Sequence, residues 1–225
     1  MSGESSDTRA TYEARLAILR ARSDTRFARH YDAFAERLTQ SALLADRPGP
    51  GDPAPDFMLP NAEGRLVSRD ALLSRGALLV LAFIRGAWCP FCQLQTEAFQ
   101  AALGAYRAAG VTLALLTPEA HGAAAAMKRG MGLDFELLCD VDQGVALAYG
   151  CLVPAPDDFR DDLRAIGIDL AALYDGAGAF LPLPAAFAIG PDGAILRVFG
   201  GIDHRDRPDP LEILRGAIAA QAASA

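Results

Sequence analysis

Cys89 and Cys92 stand two residues apart in the sequence WCPFC, directly after an apolar run. A C-x-x-C pair can form a disulfide, exchange it with other thiols, or react with an oxidant. It can also bind a metal ion when two further ligands lie nearby. Four cysteines in 225 residues are too few for a disulfide framework. Reactive thiols are therefore favoured over structural ones at this pair.

The other Cys and His residues do not complete a metal site with the pair. Cys139 and Cys151 do not have metal-site spacing, and no His pair lies near them, so zinc is disfavoured and no metal is expected. Both are interpreted as buried structural residues, with a backup resolving role as the alternative. His30, His121 and His204 lie in separate segments and are interpreted as surface residues.

A strand and a helix must position the reactive pair. Residues 77–84 form a short apolar run bounded by Gly, which predicts a buried strand. A helix is predicted over residues 90–109, because Pro90 suits its first position and Gly110 its end. Cys89 then lies at the helix N-terminus, where unpaired N–H groups and the helix dipole favour a thiolate. We expect Cys89 to have a lowered pKa and to be the nucleophile.

Cys92 is predicted to lie in the first turn of the same helix, where it can act as the resolving thiol. Arg85 is expected to add positive charge if its side chain points back at the Cys89 sulfur. Trp88 is expected to shield one side of the pair. Glu97 is interpreted as a solvated residue, with a proton shuttle for Cys92 as the alternative.

The rest of the chain divides into two parts. Residues 1–47 are predicted to form an N-terminal helical extension, with helices near 8–22 and 24–44 and Asp24 as a cap. Its amphipathic faces must pack against the domain or a second subunit, so a homodimer is considered. The Pro-rich and Gly-rich stretch 46–55 ends this extension.

Residues 48–225 alternate between predicted strands and helices. They include a helix over 119–129, a hairpin at Asp192 and Gly193, and a closing helix over 210–220. Residues 153–182 fit this alternation poorly and are interpreted as an insertion with a helix near 157–166. The predicted fold class is α/β, with a mixed central sheet flanked by helices.

The composition and the motifs of the chain limit its possible partners, location and cofactors. A net charge of −7 argues against nucleic acid or an anionic membrane as a partner. The polar start lacks the pattern of a secretory signal, and no apolar run approaches the roughly 20 residues of a membrane span, so a cytoplasmic location is expected. No nicotinamide or flavin motif is present, so no cofactor is expected. Electrons would then come from a thiol partner.

Three motifs together resemble the AhpC/TSA peroxiredoxin-like family, which has the thioredoxin fold. They are RGAWCPFC, the first hairpin GDPAPDFMLPNAEGRLVS over residues 51–68, and the last hairpin LPLPAAFAIGPDGAILRVF over residues 181–199. The resemblance implies that Pro184 is the cis-proline facing the reactive cysteine. A cis Pro184 would leave the backbone of Leu183 free to pair with a substrate.

The chain departs from the family at two positions. Typical peroxiredoxins have Thr or Ser three residues before the reactive Cys, where this chain has Gly86. They also have an Arg at the place that aligns with Pro184. Arg85 or Arg197 is the expected substitute for that Arg.

Three hypotheses follow. In the first, Cys89 reduces hydrogen peroxide or an alkyl hydroperoxide, Cys92 resolves the sulfenic acid, and thioredoxin or a similar dithiol reduces the disulfide. In the second, the pair exchanges disulfides with proteins or glutathione, as thioredoxins and glutaredoxins do. The third is a redox-sensing interaction protein.

Overall fold

The computed structural model describes residues 2–22, 25–40 and 46–224. Its elements follow one another in this order: α1 (Ser2–Arg22), α2 (Thr25–Gln40), β1 (Met58–Pro60), β2 (Leu66–Ser68), α3 (Arg69–Leu73), β3 (Leu78–Phe83), α4 (Pro90–Ala108), β4 (Val111–Thr117), α5 (Ala123–Met131), β5 (Glu136–Cys139), α6 (Gly144–Ala148), β6 (Leu152–Pro154), α7 (Asp157–Ala165), α8 (Leu170–Leu173), β7 (Phe180–Pro182), β8 (Ala186–Ile189), β9 (Ile195–Phe199) and α9 (Pro210–Ser224).

The central sheet has five strands in the order β5-β4-β3-β8-β9. Strands β3, β4 and β5 are parallel, whereas β8 is antiparallel to both β3 and β9. All six residues of β3 are buried, because helices cover both faces of the sheet. The predicted mixed sheet, its buried strand and the last hairpin are confirmed.

Each face of the sheet has its own apolar cluster. One cluster, here called the α4-side cluster, joins alternate β3 residues such as Val80 to Cys89, Cys92 and Phe99, with contributions from α1, α5 and α9. The other, the α3-side cluster, contains Leu81 and the buried apolar residues of α3 and α6. The dithiol therefore belongs to one face of the sheet only.

The predicted packing of the extension on an outer helix is confirmed for α1. Tyr12 and Leu16 are buried in the α4-side cluster, and Arg15 pairs with Glu97 of α4 at 2.6 Å. In α2, Leu38 is buried beside α7. Asp24, predicted as a cap, lies outside the described residues, as does the predicted helix end at 41–44. The division into residues 1–47 and 48–225 stays a prediction.

The insertion contains more secondary structure than its sequence indicated. The predicted helix near 157–166 is present as α7, and α8 and the antiparallel pair β6–β7 accompany it. Their apolar side chains form a separate cluster, here called the insertion cluster, which includes Phe159, Tyr174 and Leu183. The helix predicted over 119–129 begins later, at Ala123, because His121 and Gly122 have φ of +55° and +77°, which a right-handed helix does not allow.

Candidate active site

The cysteine pair lies where β3 ends and α4 begins. Cys89 is the N-cap residue of α4, and Pro90 occupies the first helical position, as predicted. Cys92 lies in the first turn of the helix. The turn is supported by the bond from the Cys89 N–H to the Gly86 carbonyl, at 3.3 Å. Local sequence signals therefore placed both sulfurs correctly.

Both thiols are buried. The exposed fraction is 3% for Cys89 and 0% for Cys92. A large disulfide partner cannot reach either sulfur without an opening of the turn, whereas a small hydroperoxide needs a much smaller opening.

The Cys92 sulfur is the better stabilised of the two. It accepts a hydrogen bond from the backbone N–H of Arg85 and another from Nη2 of Arg207, each at 3.3 Å. Burial alone would raise the pKa of Cys92. The hydrogen bond from Cys89, the Arg207 charge and the Arg85 N–H outweigh burial and hold that pKa well below its usual range.

Cys89 has the opposite shift, and the expectation of a lowered pKa there is wrong. Its hydrogen bond to Cys92, burial and the negative charge of Cys92 raise its pKa well above the usual range. The charges of Arg207 and Arg85 oppose this rise but do not cancel it. The hydrogen-bond donors and charges at the pair therefore favour the thiolate on Cys92, with the Cys89 thiol as a donor to it.

Arg207 is the functional residue that the sequence did not indicate. It lies between β9 and α9 and is 4% exposed. Besides Cys92, its guanidinium donates to the carbonyl of His204 at 2.7 Å and to Oε1 of Gln95 at 2.9 Å. Three directed bonds hold the cation beside the sulfur, a geometry that Arg can supply and Lys cannot.

Arg85 contributes through its backbone as well as its charge. Its N–H reaches Cys92, while its side-chain Nε donates to the carbonyl of Pro182 at 3.3 Å. The side chain is fully buried, and Nη1 and Nη2 have no hydrogen-bond partner among the described residues. A buried guanidinium with unused donors is costly unless an anionic or polar group meets it.

Trp88 connects the turn to the insertion. Its Nε1 donates to the carbonyl of Arg85 at 3.0 Å and to the Tyr174 hydroxyl at 2.8 Å. The Tyr174 hydroxyl in turn donates to the Arg85 carbonyl at 2.6 Å. The indole packs against both the α4-side cluster and the insertion cluster, which supports its predicted shielding role.

Glu119 occupies the space beside Gly86. Its Oε2 accepts the N–H of Ala87 at 2.8 Å. A Cβ on Gly86 would lie 2.3 Å from Cδ of Glu119, and the φ of Gly86 is +124°. Burial, and to a lesser degree the negative charge of Cys92, raise the pKa of Glu119. A side chain at Gly86 therefore has no room unless Glu119 moves.

The prediction of a cis-proline at Pro184 is wrong. No peptide bond between described residues is cis, in keeping with the intrinsic preference of X–Pro bonds for trans. Leu183 is not free either, since its N–H donates to the Cys151 carbonyl at 2.6 Å. That bond continues the pairing of β6 with β7 and ties Leu183 to the insertion.

Arg197 does not reach the pair. It is exposed, and its guanidinium lies over the Phe199 ring at 5.1 Å. Of the two arginines proposed as substitutes, only Arg85 lies at the site, and Arg207 supplies the direct contact to sulfur.

Three of the other sequence candidates lie outside the contacts of the dithiol, whereas the fourth, His204, lies beside it. Cys151 belongs to the α3-side cluster, beyond the sheet, and burial raises its pKa to about 11. Cys139 is half-buried, and burial raises its pKa as well. The ion pair of Glu97 with Arg15 leaves the carboxylate on the surface. His204 is buried against Phe91, so its interpretation as a surface residue is wrong.

Comparison with known proteins gives the family. The model of the AhpC/TSA family matches residues 50–198, which is more than half of the chain. The chain belongs to the AhpC/TSA family. The redox turn, the first hairpin and all but the final residue of the last hairpin lie inside the matched range, whereas Arg207 and all of α1 lie outside it.

Relatives of the AhpC/TSA chain include two Mycobacterium tuberculosis proteins named as peroxiredoxins. Each is 36% identical over 101 residues, which is 45% of this chain and 63% of the relative. Among solved structures, peroxidoxin BcpB of M. tuberculosis has 19% identity and a TM-score of 0.59, covering 78% of this chain and 98% of its own. Enterococcus faecalis AhpC has 16% identity and a TM-score of 0.61, covering 79% and 95%. These structures confirm the thioredoxin-like fold.

The described residues contain no helix that is both long and apolar enough to cross a membrane.

Proposed function

We propose that this AhpC/TSA protein is a thiol-dependent peroxidase in which Cys92 attacks the hydroperoxide and Cys89 resolves. The observation that carries the proposal is the Cys92 sulfur, buried and held by N–H donors of Arg85 and Arg207. This assignment reverses the roles predicted from sequence, because the donors converge on the second sulfur.

The chemistry balances with the residues present. The Cys92 thiolate attacks the terminal oxygen of R–O–OH, so that an S–O bond forms and the O–O bond breaks. Sulfur loses two electrons to the oxygens of the broken bond, and the leaving alkoxide takes a proton from solvent water to become an alcohol. The unused Nη donors of Arg85 are suited to stabilise the developing oxyanion.

Cys89 completes the cycle. Its sulfur attacks the Cys92 sulfenic acid, the S–S bond forms, and water leaves with the proton of the Cys89 thiol. A thioredoxin-like dithiol or glutathione then reduces the disulfide. Burial of both sulfurs favours small hydroperoxides over protein disulfides as substrates.

Stopped-flow oxidation of the reduced protein by hydrogen peroxide and by cumene hydroperoxide tests the proposal, with fluorescence of Trp88, the single Trp, as the signal. We expect oxidation much faster than that of a free thiol. Cys92→Ser should abolish it, and Cys89→Ser should stop at a sulfenic acid on Cys92 that dimedone traps. A sulfenic acid trapped on Cys89 in Cys92→Ser would reverse the roles, and ordinary thiol rates in the parent protein would refute the peroxidase.

A further inference from the structure

The segment 203–209, which precedes α9, carries the arginine that contacts the Cys92 sulfur. All three donor groups of the Arg207 side chain are already engaged, with His204, Gln95 and Cys92. The position of the guanidinium relative to the sulfur therefore depends on where the backbone of this segment is held.

Helix α1 holds that backbone. The Tyr12 hydroxyl donates to the Arg207 carbonyl at 3.2 Å. About two turns further along α1, Arg20 donates to the Arg205 carbonyl at 3.0 Å and to the Asp206 carboxylate at 2.9 Å. Two side chains of one helix thus anchor three consecutive residues of the segment.

Tyr12 is well placed for this role. It is buried in the same cluster as both cysteines, and burial keeps the pKa of its hydroxyl well above the usual range. The hydroxyl therefore stays protonated and remains a donor throughout the neutral range. Neither α1 nor the 203–209 segment lies in the range that matches the family model, so the contact joins two parts of the chain outside that range.

We propose that Tyr12 is a positioning residue for the Cys92 thiolate, acting through the backbone of Arg207. The N-terminal extension is then part of the active site, although it contacts no reacting atom. This inference deepens the proposed function and rests on its assignment of the thiolate to Cys92.

Tyr12→Phe tests the inference, with Tyr106→Phe as the matched control. Tyr106 is also buried and donates its hydroxyl to a carbonyl just beyond the segment, that of Pro210, at 2.8 Å. The measurement is the pH midpoint for alkylation of Cys92 by iodoacetamide in the reduced protein, with the modified sulfur identified by mass spectrometry. Thermal unfolding of each variant is measured alongside.

We expect Tyr12→Phe to raise the midpoint by up to about one pH unit, the scale set by one lost hydrogen bond. Tyr106→Phe should lower the melting temperature by a similar amount and leave the midpoint unchanged. Equal losses of melting temperature with no shift of the midpoint in Tyr12→Phe would make Tyr12 merely structural and overturn the inference.

Arg20→Gln gives a second test should Tyr12→Phe fail to fold, since the Arg20 side chain is largely exposed. It should shift the Cys92 midpoint in the same direction by less, and an unchanged midpoint would count against α1 as the anchor. The midpoint is read without any peroxide. Slow oxidation of the parent protein together with a shifted midpoint would therefore refute the peroxidase and keep the positioning role.

Discussion

Replacing Arg207 by Met is the sharpest test of the charge distribution at the site. The change removes the only side-chain N–H donor to the Cys92 sulfur among the described residues and a cation that is itself buried. Met fills a similar volume without charge, which limits the packing loss. The backbone donor of Arg85 remains in place.

The expected rise in the pKa of Cys92 follows from the loss of that one contact. A hydrogen bond from a charged donor is worth about 1.5–3 kcal/mol, and one pKa unit corresponds to about 1.4 kcal/mol, so the pKa of Cys92 should rise by about one to two units. Below the old midpoint the thiolate fraction falls by about 10–100-fold. Since intrinsic nucleophilicity rises with pKa at a slope of about 0.4–0.5, the oxidation rate should fall by only about 3–10-fold.

The assay is the alkylation midpoint of Cys92 together with the rate of peroxide oxidation across pH. The two rate profiles should cross, because above the new midpoint the more basic thiolate of Arg207→Met is the better nucleophile. Arg207→Lys should be intermediate, since it keeps the charge but cannot make all three bonds. Arg197→Met, a change at an exposed arginine on β9, is the matched control and should leave both profiles unchanged.

Two results would refute this reasoning. One is an unchanged Cys92 midpoint in a folded Arg207→Met protein. The other is alkylation of Cys89 at lower pH than Cys92 in the parent protein, which would place the thiolate on Cys89.

Three further changes test the surroundings of the pair. Gly86→Ala should lower the free energy of unfolding by about 1–3 kcal/mol, since its Cβ would meet Glu119 and its φ is positive, whereas Gly104→Ala, in open space on α4, should raise it by about 0.5–1 kcal/mol. Urea unfolding measures both, and effects of the same sign would contradict the assigned contact. Glu119→Gln should stabilise the protein at pH 8 but not at pH 4. Burial raises the pKa of Glu119, so ionisation of this carboxyl lowers the free energy of unfolding of the parent protein only as pH rises. A stability gain that is larger at pH 4 than at pH 8 would exclude this cause. Burial lowers the pKa of His204 well below its usual range, so the stability that its neutral form contributes is present above about pH 6.5 and is lost as pH falls. In His204→Phe the melting temperature should therefore fall less steeply as pH is lowered. An equally steep fall would show that another group titrates.

The fold was largely predictable because its signals are local. An apolar run bounded by Gly gives β3, Pro90 marks the start of α4, and Asp192 with Gly193 gives the last turn. Each signal acts within a few residues, so one sequence suffices to detect it. The same holds for the positions of Cys89 and Cys92 on the helix.

The charge distribution at the site was not predictable, because it depends on residues far apart in sequence. Arg207 lies 115 positions from Cys92, and no pattern around it indicates a contact with sulfur. The helix dipole argument favoured Cys89, but it was outweighed by two N–H donors that converge on the other sulfur. The expectation of a free Leu183 backbone failed for a similar reason, since its N–H pairs with the carbonyl of Cys151, far from the local motif.

The anchoring of Arg207 by Tyr12 has a consequence for the order of folding. The two residues are 195 positions apart, and contacts of such sequence separation require most of the chain to be in place before they form. We therefore expect the low pKa of Cys92 to arise late, when the last elements dock. Until then its thiol keeps an ordinary pKa and is mostly protonated at neutral pH. A newly made or transiently unfolded chain is thus protected from the oxidation that the finished site is built to promote.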